Sequence, residues 1–205
     1  MNAASGPARA AGPIGFFDRQ FLGQVERGEY ALNPFEQLAL EHARGRVLDL
    51  GCGLGNLALA AARRGCEVSA VDGSAAAIGR IRSVAAAERL ALNAVQAELN
   101  GWQIEGQYDT VLAIGLLMFF ARPRALELLG DIQTHVAPGG RAVVNAFVEG
   151  TTWLEPFAGQ PYCLLGRDEL AERFAGWRVL ECRHDSYAGP GGTLKEFVTL
   201  AAERP

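Results

Sequence analysis

The stretch Val47–Asn56, VLDLGCGLGN, sets three glycines within five positions directly behind an apolar run. A strand that ends in such a turn lets the main chain approach a ligand closely, because glycine carries no Cβ. A dinucleotide turn has the form G-x-G-x-x-G, and its third glycine allows tight helix packing below a pyrophosphate. Here Gly51 and Gly53 begin the pattern, but Asn56 stands where that third glycine belongs. The phosphate-loop pattern fails too, since no Gly-Lys-Ser/Thr follows. The turn therefore suits a ligand without phosphate. Gly51, Cys52 and Gly53 offer it main chain, and Asp49 offers a carboxylate that offsets positive charge or orients the turn.

Two further acids follow at comparable places. The next strand, CEVSAVD, ends in Asp72, seventeen residues after Gly55, with Gly73 and Ser74 next in line. An acid there accepts hydrogen bonds from both hydroxyls of a ribose. That requirement is shared by NAD and S-adenosylmethionine, so Asp72 alone does not choose between them. A third segment, AELN, places Glu98 to accept from an adenine amino group, with Leu99 and Ile114 to cover the ring. A third acid at the same edge favours the sulfonium cofactor.

Outward from the turn the chain alternates strand and helix. Helices are expected within Phe16–Arg27 and over Pro34–Arg44, the latter capped by Asn33, with Pro34 at its first position and Gly45 beyond its end. Asn56–Arg64 reads as a helix closed by Gly65, and Ser74 caps a helix that carries Ile78, Ile81 and Ala85 on one face. LNAVQAEL is a weaker strand and YDTVLAIGLL a strong one. A helix over Pro123–Val136, a turn at APGG and the strand RAVVNAFV follow. Such alternation predicts a parallel sheet covered on both faces. The end differs: a short helix over Arg167–Phe174 leads to WRVLECRHD, a turn at Gly189–Gly192 and LKEFVTLAA. Two strands joined so briefly form an antiparallel hairpin, because a parallel crossover needs a dozen or more residues.

Composition bounds the rest. The 205 residues are 49% hydrophobic, enough for one substantial core, and the net charge of −4 gives no global attraction for nucleic acid or anionic lipid. The longest strongly apolar run, Val111–Ala121, is too short to span a bilayer. The N-terminus lacks the layout of a secretory signal and reads as a flexible Ala/Gly/Pro arm over residues 1–15, which makes the cytoplasm the expected location. Cys52, Cys66, Cys163 and Cys182 form no CxxC pair or Cys/His cluster and read as small buried hydrophobes, so no metal is expected.

With VLDLGCGLG, SAVD, AELN and APGG in this order and a terminal hairpin, the sequence resembles class I S-adenosylmethionine-dependent methyltransferases. The resemblance spans roughly Leu38 to the C-terminus. It implies an α/β, Rossmann-like sheet of seven mostly parallel strands in the order 3-2-1-4-5-7-6, strand 7 antiparallel, with helices on both faces. It also implies one domain over residues 16–205, whose residues 16–45 form lid helices. More narrowly, AELNGW, YDTVLAIGLLMFF, VAPGG and PYCLLGRDELAERFAGWRVLE resemble the tellurite-resistance methyltransferase branch. That branch carries a histidine near the terminal hairpin, where His184 stands here. The glycine-rich DSYAGPGG after His184 departs from the polar, basic stretch of that branch.

Methyl transfer from a sulfonium is an in-line displacement, for which the protein supplies alignment, a dry cavity and, where the nucleophile bears a proton, a base. Arg19 and Tyr30 are candidates to close over the cofactor, and Gly115 leaves room at the methyl group. Met118, Phe119, Trp153 and Phe157 are candidate acceptor walls. His184 is the candidate base. Arg167 and Arg183 are candidates to orient an oxyanion. The expected acceptor is a small molecule, tellurite or a related chalcogen compound. The alternatives are an organic thiol, amine or hydroxyl, or a binding regulator without catalysis; an NAD-dependent oxidoreductase is disfavoured by Asn56 and AELN.

Overall fold

The computed structural model describes residues 21, 23–25, 27–157 and 159–205. Seven strands form one sheet in the order β3-β2-β1-β4-β5-β7-β6. They are β1 (Arg46–Leu50), β2 (Glu67–Asp72), β3 (Leu92–Gln96), β4 (Tyr108–Ile114), β5 (Val136–Phe147), β6 (Arg178–Ala188) and β7 (Leu194–Glu203). β1 to β5 run parallel, and β7 pairs antiparallel with both β5 and β6. Order and directions are those implied by the resemblance.

Side chains alternate across the strands and so divide the core. Leu48, Leu50, Val111, Ala113, Val144 and Leu200 pack with Leu128, Leu129 and Ile132 of α4 (Arg122–His135) and Leu170 of α5 (Glu169–Arg173). Val47, Leu112, Val143 and Ala201 face the other way. They pack with Leu38–Leu40 of α1 (Pro34–His42) and Leu57, Ala58 and Ala61 of α2 (Asn56–Arg63). The central strands are apolar on both faces because helices cover both. α3 (Ala75–Glu88) closes the β2–β3 end through Ile78 and Ile81.

α1 begins where its sequence dictates. The Asn33 side chain accepts from the amides of Phe35 and Glu36, and the Glu36 carboxylate accepts from the Asn33 amide at 2.8 Å, a reciprocal capping box. The helix stops at His42, two residues before Arg44, whose amide turns to the Thr110 hydroxyl at 3.1 Å. The expected turn at APGG lies within β5: Val136 pairs with Tyr108, and pairing resumes with Arg141 opposite Thr110. The four residues between form a bulge, with Gly139 at φ 74° donating to the Arg204 carbonyl at 3.0 Å. β6 also runs past the expected Asp185 to Ala188, so the first half of the stretch DSYAGPGG after His184 is strand.

Of the three turn glycines, Gly55 serves packing. It is the left-handed cap of α2 (φ 75°), and a Cβ there would overlap Cγ1 of the fully buried Ile81. Gly65 is also left-handed (φ 90°) but faces open space. Gly55→Ala should therefore lose about 2–4 kcal/mol, combining backbone strain with overpacking, whereas Gly65→Ala should lose only about 1–2 kcal/mol. Urea unfolding of both variants checks the difference.

Candidate active site

The glycine turn is tied to β2 at each step. The amides of Gly51 and Cys52 both donate to the Val71 carbonyl, at 2.8 and 3.1 Å. The Asp72 carboxylate accepts from the Gly53 amide at 2.9 Å and the Ser74 amide at 2.8 Å, one on each oxygen. Ser74 is buried and caps α3 by accepting from Ala77 at 3.2 Å. Gly51 and Gly53 sit at φ 66° and 52°; a Cβ would come to 2.7 Å of Leu116 Cδ1 and 3.1 Å of Phe21 Cζ respectively. Cys52 packs toward Ile78 and Ile81, and burial first, then the charges of Asp49 and Asp72, push its thiol well up.

Asp49 lies on the α1–α2 face of β1, 3% exposed, and its Oδ2 has no hydrogen-bond partner among the described residues. Burial, and then the nearby carboxylates of Glu36 and Asp72, raise its pKa to about 8. Burial likewise raises Glu36, opposed by the hydrogen bond from the Asn33 amide. A buried, unpartnered carboxyl oxygen beside a left-handed glycine turn fits a ligand that brings a positive charge.

The other expected cofactor positions are spread along the same edge. Gly73 accepts from Gln96 Nε2 at 3.3 Å, and Glu98 is exposed just past the end of β3. Leu99 is buried in the α4-side core, its carbonyl held by Arg124 at 2.8 Å. Ile114 is half-buried at the end of β4; Gly115 follows at φ 65° with nothing within 4 Å of its Cβ position. Tyr30 is exposed, but the Arg80 guanidinium stacks 4.1 Å from its ring centre and also donates to the Leu54 carbonyl within the turn. Arg80 thus links Tyr30 to the turn. Arg19 lies outside the described residues.

A second cluster adjoins the edge. Met118 and Phe157 are buried with Phe147, against Phe119, Trp153 and Phe197. Phe147 meets Phe197 at 4.5 Å between ring centres, Phe119 meets Phe157 at 5.3 Å, and Phe35 of α1 meets Phe197 at 4.6 Å. Lys195 Nζ lies 3.7 Å from the Trp153 ring centre. The wall is aromatic, and the cations on its border are engaged. Arg183 pairs with Asp185 at 3.3 Å, and Arg167 is exposed ahead of α5.

His184 is set apart. It stands on β6, the outermost strand, opposite Val198, whose side chain belongs to the α4-side core, whereas Asp49 faces α1. The structure therefore joins Asp49, Gly51–Gly53, Asp72 and Ser74 in one group. Met118, Phe119, Trp153 and Phe157 form a second, and His184 belongs to neither. Residues not expected from sequence are Glu36, Phe35, Phe147, Phe197, Arg80 and Asn145. For Asn145 a signal existed: it is a polar residue at an inward position of the apolar strand RAVVNAFV.

A profile of the tellurite resistance protein TehB family matches residues 38–188. The chain belongs to the TehB family. It is 26% identical over 137 residues to a probable S-adenosyl-L-methionine-dependent methyltransferase TehB of Haemophilus influenzae, covering 66% of this chain and 47% of that one. It is 31% identical over 167 residues to hemagglutinin 1 of Eikenella corrodens, covering 78% and 55%. The crystal structure of TehB from H. influenzae superposes with a TM-score of 0.76 at 21% identity, covering 89% of this chain and 65% of that one. This chain thus spans about half the length of the curated relatives it matches.

The fold is that of S-adenosylmethionine-dependent methyltransferases, and S-adenosylmethionine is the cofactor of this family. Bound, it supplies a methyl group already activated on a sulfonium. The residues of this chain that would hold it are Asp49, for its positive charge, the Gly51–Gly53 main chain, and the Asp72 carboxylate at the end of β2 for the ribose hydroxyls. No helix among the described residues is long and apolar enough to cross a membrane, and none of their His, Cys, Asp and Glu groups cluster to hold a metal.

With a pKa of about 8, Asp49 holds its proton at pH 7 and ionises when a cation arrives beside it. Titration of S-adenosylmethionine at pH 7 in buffers of differing ionisation enthalpy should show release of close to one proton, fading above pH 8.5. Asp49→Asn should abolish the release. The folded state keeps this proton while the unfolded chain has lost it, so stability should fall as pH rises from about 4 toward 8. The Asn variant should lack that component of the decline.

Proposed function

We propose that this TehB-family chain transfers the methyl group of S-adenosylmethionine to a small organic acceptor seated against the aromatic wall. The observation that carries this reading is the chemistry of the wall, Met118, Phe119, Phe147, Trp153, Phe157 and Phe197, with Lys195 held over the Trp153 ring at its border. Apolar and aromatic sides take an organic body through burial and ring contacts. They offer an inorganic oxyanion one unpaired donor, Trp153 Nε1, where several are needed to replace its water. The Arg19, Tyr30, Glu98 and Ile114 contacts to the cofactor belong to this proposal.

The catalytic contribution of such a site is alignment and exclusion of water. Good orientation of reacting groups is worth about 7–11 kcal/mol, enough to carry much of a displacement whose leaving group is already activated. No titratable base stands among the wall residues, and His184 faces the other side of the sheet. The reading therefore favours acceptors that attack as neutral amines, thiolates or ionised hydroxyls.

Tellurite or a related chalcogen compound is the second reading, favoured by the family match over residues 38–188. Labelled methyl transfer, measured across tellurite, selenite, thiols, aromatic amines and phenols, separates the two. Turnover of an organic acceptor, with tellurite slower, supports the proposal; turnover of tellurite alone overturns it. Silence across the panel despite tight cofactor binding supports a binding regulator instead. Asp72→Ala should weaken S-adenosylhomocysteine roughly 100-fold or more, since it removes two charge-assisted hydrogen bonds of about 1.5–3 kcal/mol each. Isothermal titration reads the loss, and unchanged affinity would sink the ribose assignment.

A further inference from the structure

Asn145 lies two residues before the end of β5, level with Ile114 of β4 and Thr199 of β7. Phe147 and Phe197 form the next layer on the same face, toward the aromatic wall. On β1, two strands away, Asp49 looks to that face as well. Asn145 therefore shares the face of Asp49 and lies one layer before Phe147 and Phe197 of the wall.

Its side chain is fully buried and its orientation is determined. Nδ2 donates to the Thr199 hydroxyl at 2.9 Å and the Val198 carbonyl at 3.3 Å. A carbonyl only accepts, so the amide's NH2 end must point there and its oxygen must point away. That oxygen, Oδ1, has no hydrogen-bond partner among the described residues. A buried carbonyl without a donor is costly, and it recurs at functional positions because a ligand supplies the missing donor.

We propose that Asn145 Oδ1 is the specificity contact of the acceptor pocket, accepting a hydrogen bond from an N–H or O–H of the molecule to be methylated. The acceptor class is then an aromatic amine or hydroxyl compound. Its ring packs against Phe147 and Phe197, and its donor group meets Asn145. An inorganic oxyanion or a thioether brings no donor and leaves the carbonyl unpaired, whereas an acceptor that attacks as an ionised hydroxyl pairs with it through a second N–H or O–H group. Because Asn145 is shielded from solvent, water does not relieve it, and an acceptor reaches it only as the surrounding wall parts. This inference rests on the methyltransferase reading above and names the substrate class of the same site.

The test uses fragments that differ by one donor: phenol against anisole, indole against N-methylindole, aniline against N,N-dimethylaniline. Binding to the chain saturated with S-adenosylhomocysteine is measured by ligand-observed NMR. The comparison variant is N145V/T199V, which removes both members of the buried polar pair and places β-branched residues in strands that favour them. The donor-bearing fragments should bind about ten-fold tighter than their partners in the unaltered chain, and that ratio should fall to near one in the variant. A ratio near one in the unaltered chain overturns the inference, as does a preference that survives in the variant or the absence of binding by every fragment. Should the variant not fold, the side-chain carbonyl signal of Asn145 in the unaltered chain decides: a shift with phenol and none with anisole supports the contact, and identical responses overturn it. Titration of S-adenosylhomocysteine into the same samples keeps the two readings apart. No cofactor binding fails the methyltransferase reading, whereas cofactor binding without donor preference fails only the Asn145 assignment.

Discussion

The carboxylate of Asp72 closes the glycine turn onto the end of β2, one oxygen on the Gly53 amide and the other on the Ser74 amide. Those two contacts fix where β1 ends, where α3 begins, and how far apart they stand. Around them the Val71 carbonyl holds Gly51 and Cys52, and Gly55 admits Ile81 to the back of the turn. The same carboxylate is the group proposed to hold the ribose. On that reading, structure and binding share one side chain.

A second constraint comes from the first turn of α1. The capping box places Glu36 with its carboxylate turned to Asn33, near enough to Asp49 for its charge to raise that group's pKa. The neighbouring Phe35 reaches Phe197 and Tyr187. One helix start thus touches both halves of the site: the acidic half at β1 and the aromatic half at β5 and β7. The polar layer between them, Asn145 with Thr199, is completed by the antiparallel pairing of β5 and β7.

Much of this was legible in the sequence. The strand–turn–helix around Asp49, Asp72 at the next strand end and the final hairpin are local patterns, and short chain segments determine them. The acceptor side was less legible because it is assembled laterally. Nothing near Phe35 in sequence says that it meets Phe197, and only the β5–β7 register brings Phe147 there. His184 shows the converse. It lies in the expected segment, but strand alternation turns it to the α4 side of an edge strand. Its neighbour Arg183 looks to the α1 side and is engaged by acids there. Pro and Gly punctuate chains in turns and bulges alike, so the sequence of residues 137–140 does not separate the two; what makes it a bulge is Arg204, far away in sequence.

The electrostatic layout follows from these placements. Asp49, Glu36 and Asp72 are acids held close together, and the aromatic faces beside them carry negative quadrupoles. On the proposed reading, this field favours the sulfonium form of the cofactor. Transfer of the methyl group converts that sulfonium to a neutral thioether. The attraction that holds the donor then disappears with the charge, while the ribose contacts remain. Asp49 can take back its proton as the positive charge beside it weakens, since burial makes the neutral carboxyl its preferred form. A carboxylate with one buried, unpartnered oxygen therefore favours binding of the charged donor and eases release of the neutral product, with no movement of the main chain.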